Sequence, residues 1–111
     1  MQRQDIDIVR GDSWSELKVR WLDADDNPIH IASARMQIRT SADAPDPPQL
    51  ELTSTAGLTI DGTSWYITPA ITPAQSADLQ PGVYDIEATA VDGRIRTLVG
   101  GQVNIIADVT R

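Results

Sequence analysis

The chain has 111 residues, a formal charge of −7, a sequence pI of about 4.4 and no cysteine. That length fits one domain able to bury its own core. The missing cysteines exclude disulfides, thiolate metal sites and a thiol nucleophile, and a lone His30 excludes any metal site that needs two imidazoles. The acidic balance argues against nucleic acid, which needs a basic face to neutralise phosphates. No run approaches the ~18 apolar residues of a membrane span. The polar start Met1-Gln2-Arg3-Gln4-Asp5 lacks the apolar stretch of a secretory signal, so a soluble product made in the cytosol is expected. The cations are eight arginines and Lys18. Arginine is favoured at protein interfaces and lysine is depleted there, so the skew hints at a packing surface.

Period-2 alternation dominates the chain. Ile6 and Ile8 alternate with Asp5 and Asp7, and Arg10-Gly11-Asp12-Ser13 breaks the run as a turn. Leu17, Val19 and Trp21 then predict a strand facing one way, with Lys18 and Arg20 facing the other. Asp23-Ala24-Asp25-Asp26-Asn27-Pro28 reads as a polar hairpin loop. Ile29 and Ile31 are a short apolar step before Ala34, Met36 and Ile38, which alternate with Arg35, Gln37 and Arg39 as a half-buried strand. Residues 41–48 hold Pro45, Pro47 and Pro48, which cannot pair in a sheet, and are the best candidate for a mobile loop.

Leu50 and Leu52 predict a short strand, and Leu58 and Ile60 another after the Ala56-Gly57 break. Asp61-Gly62 is a hairpin signal with Trp65-Tyr66-Ile67 as the returning strand. A single short helix is expected near residues 73–79, with Thr72 as N-cap and Pro73 in the first turn. Leu79-Gln80-Pro81-Gly82-Val83-Tyr84 is a tight corner feeding a strand. Its tyrosine is placed to bury the ring and return the hydroxyl to upstream backbone, as in the tyrosine corner of Greek-key sandwiches. Tyr84, Ile86, Ala88 and Ala90 share one face of that strand, opposite Asp85, Glu87 and Thr89. Asp92-Gly93 is a second hairpin signal. The last strand runs from Arg94 to Ile106, with a bulge or bend expected at Gly100-Gly101. Seven to nine short strands with turn signals every eight to twelve residues predict a single all-β domain over residues 1–111, an antiparallel β-sandwich.

Chemistry-bearing clusters are few. Arg10-Gly11-Asp12 spells an adhesion tripeptide but reads more simply as an inter-strand turn. Asp23, Asp25, Asp26 and Asn27 gather oxygens, yet a calcium loop would place Gly at Pro28 and Glu at Ala34. Asp5 and Asp7 lie on one strand face about 6–7 Å apart, which would suit paired acid–base work. Edge charges that block strand-to-strand aggregation explain them better. His30 has no readable nucleophile or orienting carboxylate, and no catalytic residue, cofactor or metal ligand is assigned. Trp65 and Tyr66 are adjacent and point opposite ways, so at most one is core. An exposed aromatic there would suit a sugar. Arg35 and Arg39, with Arg20 on a neighbouring strand, could form a basic stripe that anchors a subunit interface.

Several pieces together carry a resemblance. They are Ile8-Val9-Arg10-Gly11-Asp12, Asp25-Asp26-Asn27-Pro28-Ile29, Ala34-Arg35-Met36-Gln37-Ile38-Arg39, Thr72-Pro73-Ala74-Gln75, and Leu79-Gln80-Pro81-Gly82-Val83-Tyr84-Asp85. Asp92-Gly93-Arg94, Thr97-Leu98-Val99-Gly100-Gly101 and Asp108-Val109-Thr110-Arg111 complete the set. Their order resembles small tailed-phage and prophage structural proteins with an immunoglobulin-like sandwich, and is similar to the N-terminal module of phage baseplate upper proteins. Where family members often carry Leu-Thr-Gly after the proline, this chain has Ile29-His30-Ile31-Ala32-Ser33. The resemblance implies no catalytic residues. It implies a virion protein of the tail, baseplate, neck or fibre that binds copies of itself and neighbouring virion proteins. The expected interface residues are Arg20, Arg35, Arg39, Pro45, Pro47, Pro48, Trp65 and Tyr66. The alternative is a carbohydrate-binding or adhesion module that takes a host surface glycan on Trp65 or Tyr66; a hydrolase ranks last.

Overall fold

A computed structural model describes residues 1–109; Thr110 and Arg111, the end of the last quoted motif, lie outside the described residues. The described chain forms eight strands and one helix: β1 (Gln2–Arg3), β2 (Ile6–Val9), β3 (Ile31–Arg39), β4 (Leu50–Thr53), β5 (Leu58–Ile60), β6 (Ile67–Pro69), α1 (Pro73–Ala77), β7 (Gly82–Ala90) and β8 (Ile95–Ile106).

The first sheet runs β1-β8-β7-β3-β4, with β2 also on β8. The β8-β7-β3-β4 ladders are antiparallel, whereas β1 and β2 both run parallel to β8. The second layer is the antiparallel β5–β6 hairpin, extended by residues 14–21, which touch it through the single bridges Trp14↔Ile71 and Val19↔Ile67. The architecture is an all-β sandwich with one short helix at its corner, its larger sheet mixed and not wholly antiparallel.

The two layers close on Ile8, Ile38 and Ile86 from the first and Ile67 from the second, all 0% exposed, with Met36, Leu52, Val99 and Val103 around them. Burying each such side chain is worth about 1.5–3 kcal/mol. Leu17, Val19 and Trp21 do point into this core, as their alternation predicts. They make no continuous ladder, because only Val19 exchanges backbone bonds with Ile67.

Two bulges adjust which residues face inward, both opposite β7. On β3, Ile31 pairs with Ala90 and Ser33 with Thr89, leaving Ala32 extra. This is how odd-numbered Ile31 and even-numbered Ala34, Met36 and Ile38 are all buried. On β8, Val99 pairs with Ile86 and Thr97 with Glu87, leaving Leu98 extra. The bulge expected at Gly100-Gly101 therefore lies before those glycines. It turns Arg94 and Arg96 onto the core side, where their guanidinium carbons sit 5.2 and 6.0 Å from the Trp21 ring centre.

The glycine pair serves close approach instead. β1 and β2 meet β8 on either side of Gln4-Asp5, which crosses over Gly100 and Gly101. Gln4 N–H donates to the Gly100 carbonyl at 3.0 Å, and Gln102 N–H donates to Asp5 Oδ1 at 2.9 Å. A Cβ on Gly101 would run into the Gln4 carbonyl oxygen and lie 2.8 Å from Asp5 Oδ1.

The corner before β7 is built as its sequence predicts up to the tyrosine. Thr72 and Gln75 form a reciprocal capping box, with Gln75 N–H donating to Thr72 Oγ1 at 3.2 Å and Thr72 N–H to Gln75 Oε1 at 2.9 Å. Tyr84 is buried, but its hydroxyl does not return to the corner. It donates to the Gln4 carbonyl at 2.5 Å, across to the N-terminal crossing. Burial, and then the charge of Asp5, push the phenol up to about 12 from its ordinary 10.0. A raised pKa means that the fold holds the proton, so this contribution is complete below pH ~10 and lost as pH rises through about 12. Tyr84→Phe is expected to cost about 1 kcal/mol at neutral pH and to remove that alkaline step. Urea melts at pH 7 to 12 check both, and an unchanged alkaline slope would refute the assignment.

Candidate functional site

The Arg10-Gly11-Asp12 turn is structural. Gly11 takes a φ of 87°, and Asp12 N–H closes the turn on the Val9 carbonyl at 3.0 Å. Ser76 of α1, the one buried polar side chain among the described residues, locks it. Its hydroxyl accepts from Gly11 N–H at 3.0 Å and donates to the Asp12 carbonyl at 2.8 Å, with the Pro73 carbonyl 3.2 Å away. Arg10 reaches the Leu79 carbonyl at 3.3 Å.

The acidic hairpin is likewise closed on itself. Asp23 Oδ1 accepts from the backbone N–H groups of Asp25 and Asn27 at 2.8 and 3.0 Å. Asp26 there takes a φ of 62°. Among the described residues no group of three or more His, Cys, Asp or Glu could hold a metal ion, and no helix is long and apolar enough to cross a membrane. Asp5 and Asp7 serve the β2–β8 edge: Asp5 holds Gln102 N–H, and Asp7 Oδ1 accepts from Asn104 Nδ2 at 2.9 Å.

Both candidate aromatics are half-buried and have occupied faces. Trp65 has a φ of 62°, a conformation bulky residues rarely adopt. Its N–H donates to the Asp61 carbonyl at 3.0 Å, and its ring stacks on His30 with centroids 4.4 Å apart. Asp61 completes the turn by accepting from Thr63 and Ser64 N–H, and these bonds hold its carboxyl below the usual range. Lys18 and Arg20 both lie over the Tyr66 ring, at 4.9 and 4.5 Å from its centre.

That contact corrects the basic stripe. Arg20 belongs to the second layer and packs on Tyr66, so it cannot line up with Arg35 and Arg39 on β3 of the first. Arg39 is tied up as well. Its three guanidinium nitrogens bond Gln37 Oε1 (3.3 and 2.9 Å), the Ala44 carbonyl (3.2 Å) and Asp46 (2.5 Å). The loop expected to be mobile, with Pro45, Pro47 and Pro48, is thus clamped to β3. It is also closed at its far end, where Gln49 and the Gln80 backbone exchange two hydrogen bonds at 2.8 and 3.1 Å. Arg35 remains exposed and pairs loosely with Glu87 at 3.6 Å.

What the fold does bring together is a polar row across the outer face of the first sheet. Register places Glu51, Gln37, Asp85, Gly100 and Arg3 side by side on β4, β3, β7, β8 and β1. Gln37 links the left end, donating to Glu51 and accepting from Arg39. Gly100 supplies no side chain, so the row dips there into a groove of about 360 Å³ between Asp85 and Met1, with Arg3, Arg39, Ala42 and Val83 on its rim. Burial, and then the charge of Glu87, raise the Asp85 carboxyl above the usual range against the pull of Arg35 and Arg39. The alternation of β3 and β7 announces the row's polar character. Its alignment and the dip could come only from strand pairing. Neither protein-family models nor curated proteins match this chain.

Proposed function

We propose that the chain is a non-enzymatic virion module of a tailed phage, binding copies of itself or neighbouring subunits through the outer face of the first sheet. The observation that carries this reading is the registered row from Glu51 to Arg3, a broad polar face over which no strand or helix of the described residues is layered. Such faces give specificity through charge matching more than through buried area. The order of turn and strand signals that resembles phage structural proteins supports the particle setting, and the acidic charge suits protein partners better than nucleic acid.

Arg35 and Arg20 separate the two outer faces. Arg35→Ala is expected to weaken assembly about tenfold, as loss of a charge contact at an interface does, while Arg20→Ala leaves it unchanged. Arg39→Ala is a poor probe, since it frees the Ser41–Pro48 loop. Mass spectrometry of purified particles, with sedimentation of the isolated protein, tests the reading. Absence from the particles together with a strictly monomeric protein would overturn it.

A further inference from the structure

We infer that the groove above Gly100 receives an arginine side chain of a neighbouring subunit, its guanidinium set against the Asp85 carboxylate. This rests on the assembly reading and names the chemistry of the partner.

Three charged side chains line the groove: Arg3, Arg39 and Asp85. Both arginines are already answered. Arg39 has all three nitrogens committed to Gln37, Ala44 and Asp46, and only 20% of its side chain is exposed. Arg3 pairs with Asp5 at 3.5 Å. Asp85 makes no hydrogen bond or ion pair with any described residue, and its neighbour Glu87 is held by Arg35. The groove therefore presents one carboxylate with no hydrogen-bonded or ion-paired partner among the described residues, drawn on only at longer range by Arg35 and Arg39, and a cation set directly against it would supply that partner.

Shape favours arginine over lysine. A side chain at position 100 would stand between Met1 and Asp85, with its Cβ already 3.1 Å from Met1 Sδ and 3.3 Å from Asp85 Cβ. Glycine avoids that crowding and lets Met1 and Asp85 flank the groove closely. Both Asp85 oxygens are free to accept, which suits a planar two-pronged donor that is weakly hydrated. Met1, Val83 and Ala42 offer apolar cover for an aliphatic stem. At about 360 Å³ the groove holds one side chain of a partner and sits at the small end for ligand clefts.

The test is an NMR titration of the ¹⁵N-labelled chain with N-acetyl-arginine amide, using N-acetyl-citrulline amide as the neutral isostere. Saturable shifts are expected at the amides of Asp85, Gly100, Gly101 and Gln102. Binding should weaken about tenfold or more in Asp85→Asn and with the citrulline probe, and stay unchanged in Asp25→Asn. Asp85→Asn removes a strained charge without changing shape, so a matching melt confirms that the fold is intact. Absence of saturable shifts, or equal shifts in Asp85→Asn, overturns the inference. So does acetate acting on the same amides, which would assign the groove to an anion. Arginine binding by a chain that is absent from particles would sink the assembly reading alone. Presence in particles without arginine binding would sink this inference alone.

Discussion

Gly101→Ala is expected to lower stability by about 2–3 kcal/mol, a large loss for a single added methyl group. The reason is that the added Cβ meets backbone, not a flexible side-chain tip. It collides with the Gln4 carbonyl oxygen and comes within 2.8 Å of the Gln4 carbonyl carbon. Relief requires Gln4-Asp5 to lift off β8. That would break the Gln4 N–H bond to Gly100, the Asp5 bond to Gln102 and the Tyr84 hydroxyl bond to Gln4 together. Denaturant melts measure the loss, and hydrogen exchange at the Gln4 and Gln102 amides shows where it falls. Gly62→Ala is the control, since nothing lies within 4 Å of its Cβ; a change within about 0.5 kcal/mol is expected there. If Gly101→Ala melted with the wild type, the crossing would not be the close approach described.

Ser76→Ala is expected to cost about 1–3 kcal/mol, a large effect for the loss of one oxygen. The Ser76 side chain is fully buried and its hydroxyl bridges two backbone groups of the turn, so its removal takes the partner from both Gly11 N–H and the Asp12 carbonyl. The turn after β2 and the helix before β7 then lose a side-chain lock, with the Arg10 contact to the Leu79 carbonyl left in place. Urea unfolding gives the magnitude, and faster exchange of the Gly11 amide gives the place. A loss under ~0.5 kcal/mol would mean that the turn holds itself.

The parts of this fold that were legible in the sequence are those set by neighbours along the chain. Alternation marks β2, β3 and β7. Asp92-Gly93 marks the β7–β8 hairpin, where Gly93 takes a φ of 93°. Thr72-Pro73-Ala74-Gln75 marks the start of α1. Even the Ala32 bulge left a trace, because the apolar positions change from odd to even between Ile31 and Ala34. What stayed hidden depends on partners remote in sequence. The Tyr84 hydroxyl finds a carbonyl 80 residues away, and Ser76 finds a turn 64 and 65 residues away. Nothing local marks either bond. Arg20, Arg35 and Arg39 look alike as letters, and only the layering separates a ring contact, an exposed ion pair and a loop clamp. The groove was the least legible feature, since it is made by a missing side chain at Gly100 and by register across five strands.

The parallel placement of β1 and β2 on β8 has a mechanical consequence. The described chain starts beside Val99 and leaves β8 beyond Ile106, so its two ends point to opposite ends of the sandwich. Tension drawn through the first and last strands runs along them. It loads all six residue pairs, from Gln2↔Val99 to Val9↔Ile106, together in shear. An antiparallel pair of terminal strands would bring both ends out on one side and unzip one bond at a time. A module wired this way transmits a pull along its terminal strands without first giving up the pairs that carry it.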